Sequence, residues 1–143
     1  MVDFTEIAVG DEDGVKKIND NFDVTTRKFE GLDSKNEVQK IVWTKDSSYT
    51  GKVTYFDAYR RGNIVTIDTK LEIPKKGEWM NAIKGLPKPP RDTATGIAFC
   101  DDGGTLATFS VQSGGVLSLY GNSGSMAKFP NTLTIHTTYL TID

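Results

Sequence analysis

The chain has 143 residues, with 17 Lys and Arg against 19 Asp and Glu, which gives a formal charge of −2. This length fits one domain with an appendage. The near-neutral charge disfavours functions that depend on an overall basic field, such as much nucleic-acid binding. One Cys and one His exclude a structural Cys/His zinc site, an intrachain disulfide and an all-cysteine iron–sulfur cluster within one chain.

The sequence contains no apolar run of the roughly 18 residues that a membrane span needs. Its N-terminus has neither the basic region nor the apolar region of a secretory signal. We therefore expect a soluble protein that is made in a cytoplasm and does not insert into a membrane.

Charge is distributed unevenly along the chain. Residues 1–36 carry nine acidic and five basic side chains, whereas residues 37–143 have a net charge of +2. Beyond residue 92 the only cation is Lys128, in a stretch rich in Ser, Thr and Gly. We therefore predict an N-terminal segment, residues 1–36, and a C-terminal domain, residues 37–143.

The N-terminal segment is predicted to form an α-helix. The acidic residues 11–13 follow Gly10 and would lie at the positive end of the helix dipole. Compatible residues then recur at alternating intervals of three and four, the a/d pattern of a short coiled coil. This stripe consists of Val15, Ile18, Phe22, Thr25, Phe29 and Leu32. It fits trimerisation or docking to other proteins, and equally a single amphipathic helix packed on the sheet of its own chain.

The C-terminal domain is predicted to be all-β. In residues 63–73, apolar side chains alternate with Thr66, Asp68, Lys70 and Glu72, as in a half-buried antiparallel strand. A hairpin turn containing Gly62 joins this strand to residues 52–59. Short strands at this spacing indicate a sandwich or a barrel. The remaining predicted strands are 38–44, 95–100, 105–111, 116–120 and 132–142, with a proline-rich crossing segment at 84–91.

Aromatic residues give the best indication of a binding site. Their faces can stack on the C–H groups of a sugar, while nearby carboxylates, amides and guanidinium groups bond its hydroxyls. Trp79 follows Gly77 and Glu78 at a strand end, and Tyr120 lies beside a turn, so both are candidates. The alternative for most of the other tyrosines is a place in the core or an interface.

Catalysis finds little support in the sequence. Asp68 and Glu72 lie on the polar face of one strand, without the apolar pocket that would separate the pKa values of an acid and a base. The glycines form neither a P-loop nor a dinucleotide fingerprint. We therefore expect a protein that is not an enzyme and needs no cofactor or metal.

The order of several short motifs resembles the receptor-binding proteins of long-tailed phages of Gram-positive bacteria. The helix segment GVKKINDNF is followed by YRRGNIVTI, WMNAIKGLPKPPRD, SVQSGGVLSLYG and the terminal TIHTTYLTID. The resemblance covers about residues 10–32 and 50–143. The ordered series R-x-G-N-I-V-T-I, L-P-x-x-x-R and S-G-G-V-L, before a threonine-rich last strand, is its strongest element.

The resemblance implies a homotrimeric component of the virion tail or baseplate, made in the cytoplasm of the host cell. Its N-terminal helix would dock to other baseplate or tail proteins or begin a three-helix bundle. Its C-terminal head would be an antiparallel β-barrel or jelly-roll-like domain that binds host cell-wall polysaccharide or teichoic acid. The alternative is a structural baseplate or tail-fibre component that binds only other virion proteins.

The chain departs from the family pattern at the saccharide site. Some heads of this family carry Trp, His and Asp on the strand before the S-G-G-V turn, but residues 105–110 contain none of them. Candidates for saccharide binding are therefore inferred from residue type alone. They are Trp79, Asp101, Asp102, Tyr120, Asn122 and His136.

Overall fold

The structure is a computed structural model that describes residues 37–91, 93–122 and 127–142. Secondary structure within these ranges consists of β-strands joined by turns and loops. The strands are β1 (Val38–Lys40), β2 (Thr44–Lys45), β3 (Val53–Arg61), β4 (Ile64–Ile73), β5 (Trp79–Lys84), β6 (Thr93–Phe99), β7 (Leu106–Gln112), β8 (Val116–Gly121) and β9 (Asn131–Leu140).

The strands form two antiparallel sheets that share one core. Sheet A has the order β1-β3-β4-β9, and sheet B has the order β2-β5-β8-β7-β6. In sheet A the longest ladder joins β4 and β9, from Ile64 opposite Leu140 to Ile73 opposite Asn131. Because β8 pairs with β5 on one side and β7 on the other, sheet B brings together segments that are distant in sequence.

Alternation of apolar and polar residues explains how β4 sits between core and solvent. Val65, Ile67, Leu71 and Ile73 are fully buried, as the sequence predicts. Thr69 shares their inward face, and its hydroxyl donates to the Tyr55 carbonyl at 2.7 Å, which satisfies a polar group in the core. The other buried apolar side chains of the two sheets include Phe56, Ala82, Ile83, Phe109, Val111, Leu117, Leu119, Leu133 and Ile135.

The predicted barrel or jelly-roll-like head is wrong, because the two sheets do not close into a barrel. Near one edge they touch at an isolated bridge between Cys100 and Leu133, beyond the end of β6. The Asp101 N–H also donates to the Thr132 carbonyl at 2.8 Å. The ladder goes no further, so β6 and β9 each remain the last strand of a separate sheet.

The predicted N-terminal helix gains no support from the structure. Its stripe of Val15, Ile18, Phe22, Phe29 and Leu32 lies in residues 1–36, outside the described ranges. Within those ranges there is no helix, and accordingly none long and apolar enough to cross a membrane. The division of the chain at residue 36 and the homotrimer stay predictions.

The predicted strand 38–44 is divided in two by a crossing between the sheets. β1 pairs with β3 in sheet A, whereas β2 pairs with β5 in sheet B. The crossing, residues 41–43, begins with the Ile41 N–H donating to the Ala58 carbonyl at 2.8 Å and ends where Thr44 pairs with Lys84 of β5. This crossing brings the β2–β3 loop beside the start of β5.

Candidate functional site

An aromatic pair, Trp79 and Tyr120, lies on the outer face of sheet B. The two residues are register partners in the β5–β8 ladder, and their ring centroids are 5.3 Å apart at an interplanar angle of 37°. Trp79 is 55% exposed. An indole that is both exposed and supported by a second ring offers a flat apolar surface for a ligand.

The loop before β5 is held against the end of β8 by a close approach at Gly121. The Gly77 N–H donates to the Gly121 carbonyl at 2.6 Å. A Cβ at position 121 would collide with the Lys75 carbonyl and with the ring of Phe129. The absence of a side chain there lets the loop place Lys75 and Glu78 next to Trp79.

The first pocket lies on the β5 side of Trp79 and encloses about 270 Å³. Its charged groups are Lys75 and Glu78, whose Nζ and Oε2 atoms are 3.5 Å apart. Both side chains are exposed, so this ion pair can exchange partners with a ligand. The lining residues are Ser48, Thr50, Lys75, Glu78, Trp79, Met80 and Asn81.

A buried carboxylate, that of Asp46, shapes the loop that supplies Ser48 and Thr50. Asp46 Oδ1 accepts from the Ser48 N–H at 2.8 Å and from the Ser48 hydroxyl at 2.6 Å. Its other oxygen, Oδ2, lies 2.7 Å from Lys84 Nζ. The bond to Lys84, followed by those to Ser48, lowers the pKa of Asp46 from 3.8 to about 2. The loop therefore carries a carboxylate that stays ionised in all but strongly acidic solution.

The second pocket encloses about 360 Å³ on the other side of the aromatic pair. It is lined by Trp79, Thr95, Ser110 and Gln112, none of which is charged. The Thr95 hydroxyl donates to the Ser110 hydroxyl at 3.4 Å. Hydroxyl and amide groups both donate and accept hydrogen bonds, so this surface suits a ligand rich in hydroxyls.

Asn122, another predicted site residue, lies just beyond Tyr120 but lines neither pocket. Its side-chain oxygen accepts from the Thr108 hydroxyl at 3.2 Å, and its N–H donates to the Leu106 carbonyl at 3.3 Å. The structure therefore places Asn122 beside the aromatic pair, in contacts that fix the end of β8.

Asp101 and Asp102, predicted from residue type, lie in the turn between β6 and β7 and line neither pocket. Asp101 pairs with Lys70 at 2.7 Å. Asp102 accepts from the Gly104 N–H at 3.1 Å and from the Thr105 N–H and hydroxyl at 2.8 and 2.6 Å. The Thr105 bonds are the largest cause of a pKa lowered to about 2. Both carboxylates are thus engaged in contacts within the protein.

His136 is exposed on β9 in sheet A, opposite Asp68 of β4. Its sheet is not the one that carries the aromatic pair. The structure therefore brings Trp79 and Tyr120 together and leaves His136 apart from them. Among the described residues, no three His, Cys, Asp or Glu side chains are grouped as ligands of a metal ion.

Most of the residues that line the two pockets are not among the predicted site residues. They come from the β2–β3 loop, the β4–β5 loop and strands β5, β6 and β7, which meet only because β2, β5, β8, β7 and β6 are neighbours in sheet B. The only ones that a local pattern could have indicated are Lys75 and Glu78, because they come just before Trp79 in the sequence. The missed residues are Ser48, Thr50, Lys75, Glu78, Met80, Asn81, Thr95, Ser110 and Gln112.

The fold is similar to that of a phage receptor binding protein. The crystal structure of the receptor binding protein (gp15) of Listeria phage PSA aligns with a TM-score of 0.58 at 15% sequence identity. The alignment covers 93% of this chain and 81% of that one. No protein-family model and no curated protein matches the sequence. At this identity the similarity establishes a shared fold.

Proposed function

We propose that this chain is a receptor-binding protein of a phage tail or baseplate that attaches the virion to saccharide of a Gram-positive cell wall. The observation that carries the proposal is the exposed Trp79 indole, supported by Tyr120 and flanked by two pockets that carry polar side chains. The similarity to the Listeria phage protein supports the same role, because that protein is a receptor binding protein with the same fold.

The chemistry of the site suits a sugar. The indole face would cover the C–H groups of a ring, which is a contact that aromatic side chains make well. Hydroxyls would then exchange hydrogen bonds with Glu78, Lys75 and Ser48 in the first pocket, or with Gln112 in the second. Each such site is small and open, so a single contact would be weak.

Assembly into a homotrimer would compensate for weak individual sites. Ile97 and Phe99 are 67% and 65% exposed on β6, the last strand of sheet B, and contacts between copies would bury them. Several linked heads on one wall gain affinity from their high effective concentration. In this proposal residues 1–36 join the trimer to other tail or baseplate proteins.

A structural component that binds only virion proteins is the second candidate. It is favoured by exposed apolar residues at one end of sheet A, where Ile64 lies opposite Leu140 and Val38 lies two strands from Ile64, on β1. Such residues suit protein contacts better than sugar contacts. In that case no saccharide would change the fluorescence of Trp79.

The proposed role is binding without catalysis. Asp68 and Glu72 lie on sheet A, away from the aromatic pair, and Asp68 Oδ1 accepts from the Tyr55 hydroxyl at 3.2 Å. Release of reducing sugar from cell walls, lost when Asp68 or Glu72 becomes Ala, would contradict this part of the proposal. Loss of such activity in Asp101→Ala or Asp102→Ala would contradict it as well.

Binding to Gram-positive cell walls, measured with Trp79→Ala and Tyr120→Ala, tests the proposal. Each change should weaken binding by about 1–2 kcal/mol through loss of the stacking surface. Tyr59→Ala is a matched control, because Tyr59 is also a partly exposed tyrosine but lies on sheet A. Wild-type affinity in both site variants would remove the aromatic pair from the site. A folded protein that binds tail proteins but no cell wall would favour the structural role.

A further inference from the structure

The two pockets are parts of one elongated site, because both are lined by Trp79. The first is built from β5 and the loops around it, and the second includes residues of β6 and β7. With β8 between β5 and β7, the site extends over three interstrand spacings, or about 14 Å. A ligand that fills both pockets is therefore longer than one sugar ring.

The lining of this site carries no net charge. Lys75 and Glu78 cancel each other in the first pocket, and the second contains only uncharged residues. Of the other described cations close by, Lys84 is tied to Asp46 at 2.7 Å, Lys45 donates to the Gly51 carbonyl at 2.8 Å, and Lys76 lines neither pocket. In this site each phosphate of a charged polymer would lose hydrating water without a cation to compensate its charge. Binding such a polymer there is therefore unfavourable.

The outer faces of the two sheets differ in how many charged residues they carry. The outer face of sheet A carries charged residues on adjacent strands, including Lys40 with Asp57 at 3.5 Å and Lys70 with Asp101 at 2.7 Å. Asp57 and Asp68 also lie directly opposite each other in the β3–β4 ladder. The two outer faces of the sandwich therefore offer ligands quite different surroundings.

We infer that the ligand of this site is an uncharged glycan strand of at least two sugar units, rather than an anionic polymer such as teichoic acid. The inference rests on the proposed saccharide-binding function and narrows its substrate class. One unit occupies the first pocket, where the Lys75 ammonium donates to hydroxyls and the Glu78 carboxylate accepts from them. The next unit passes Trp79 and meets Thr95, Ser110 and Gln112.

Titration with neutral mono-, di- and trisaccharides from Gram-positive walls, and with purified wall teichoic acid, tests the inference on the full chain. Tryptophan fluorescence and calorimetry report binding at low and high ionic strength. The disaccharide should bind about tenfold more tightly than the monosaccharide, because it fills the second pocket. Its affinity should change little with salt, since no net charge is neutralised.

Matched glutamine variants locate the second unit. Gln112→Ala should narrow the difference between disaccharide and monosaccharide affinities. Gln39→Ala, on β1 of sheet A, should leave that difference unchanged. An effect of Gln39→Ala equal to that of Gln112→Ala would overturn the assignment of the second pocket.

The other outcomes separate this inference from the function on which it rests. Equal affinities for monosaccharide and disaccharide would overturn the two-unit site. Tight, salt-sensitive binding of teichoic acid alone would overturn the uncharged ligand while leaving saccharide-dependent adhesion in place. Failure to bind any of these probes or whole Gram-positive cell walls would overturn the proposed function itself.

Discussion

Asp46, which is buried, and Asp102, which is exposed, are carboxylates that organise turns. Asp46 holds the loop of Ser48 beside the first pocket, and Asp102 holds the β6–β7 turn through Gly104 and Thr105. Hydrogen bonds to the ionised form lower both pKa values to about 2. A saccharide would have to compete with these internal donors to engage Asp102.

Acid unfolding should reveal these two carboxylates. Their pKa values in the folded protein lie below the ordinary value of 3.8, so each contributes stability above about pH 4 that is lost as the pH falls towards 2. Asp46→Asn and Asp102→Asn should each reduce proton uptake on unfolding in that window by about one proton.

Chemical denaturation followed across this pH range measures that uptake. Asp57→Asn is the control, because Asp57 is also paired with a lysine, but at the longer distance of 3.5 Å from Lys40 Nζ. Unchanged pH dependence in both the Asp46 and the Asp102 variants would contradict the assigned roles.

At single positions the sequence identified Trp79 and Tyr120 but not what surrounds them. Because Trp79 follows Gly77 and Glu78 at the start of a strand, the sequence indicates that it is exposed, and the structure confirms this. Its contact with Tyr120 depends on the register of β5 against β8, which no local pattern specifies. Asp102 was predicted as a site residue from its type alone. Residue type does not distinguish a carboxylate that binds a ligand from one that accepts hydrogen bonds within a turn.

The β4–β5 loop, residues 74–78, is the element on which the first pocket depends most. It carries Lys75 and Glu78 and is fixed to β8 by the Gly77–Gly121 hydrogen bond. Since a side chain at position 121 would meet the backbone of Lys75, the neighbouring atoms have little room to yield. The shape of the pocket is therefore coupled to one residue outside its lining.

Gly121→Ala should destabilise the protein by about 1–3 kcal/mol, the usual cost of overpacking, and should weaken saccharide binding by displacing the loop. Urea denaturation and cell-wall binding measure the two effects. Gly114→Ala is the matched control, because a Cβ there meets nothing within 4 Å. Equal stability and binding in the two variants would show that the loop is not held at Gly121.

Regular strands were predictable from the sequence, whereas irregular ones were not. In β4 inward and outward positions alternate along the whole strand, and four of the inward residues are apolar, so its buried face follows from the pattern. β5 was missed because a bulge between Asn81 and Ile83 leaves Ala82 and Ile83 both buried, which disrupts the alternation. The crossing after β1 was missed because its residues continue the apolar pattern of a single strand.

At the scale of the whole molecule, the sequence could not decide between a barrel and two open sheets. Both architectures require the same alternation within each strand. The choice depends on whether β6 and β9 continue to pair beyond Cys100 and Leu133, which is a question of geometry between the ends of distant segments. The prediction of a closed head was wrong for this reason.

Ile18→Asp or Phe22→Asp tests the predicted assembly through the N-terminal stripe. If this stripe holds copies of the chain together, a charge placed in it opposes association. Either change should then lower the mass measured by light scattering while leaving the β-domain folded. Lys17→Asp, beside the stripe, is a control for added negative charge. If Ile18→Asp and Phe22→Asp both keep the mass of a trimer, the β-domain alone assembles the protein.

The outer edge of β6 has consequences for how the protein behaves in concentrated solution. β6 pairs with β7 along its length, and no described strand forms a ladder with its opposite edge. Its residues, Thr-Ala-Thr-Gly-Ile-Ala-Phe, include no charge and no proline that would discourage the addition of another strand. Where nothing pairs with the outer edge of β6, a strand of another copy can add to it. The protein should therefore form fibrils at high concentration, with β6 as the template.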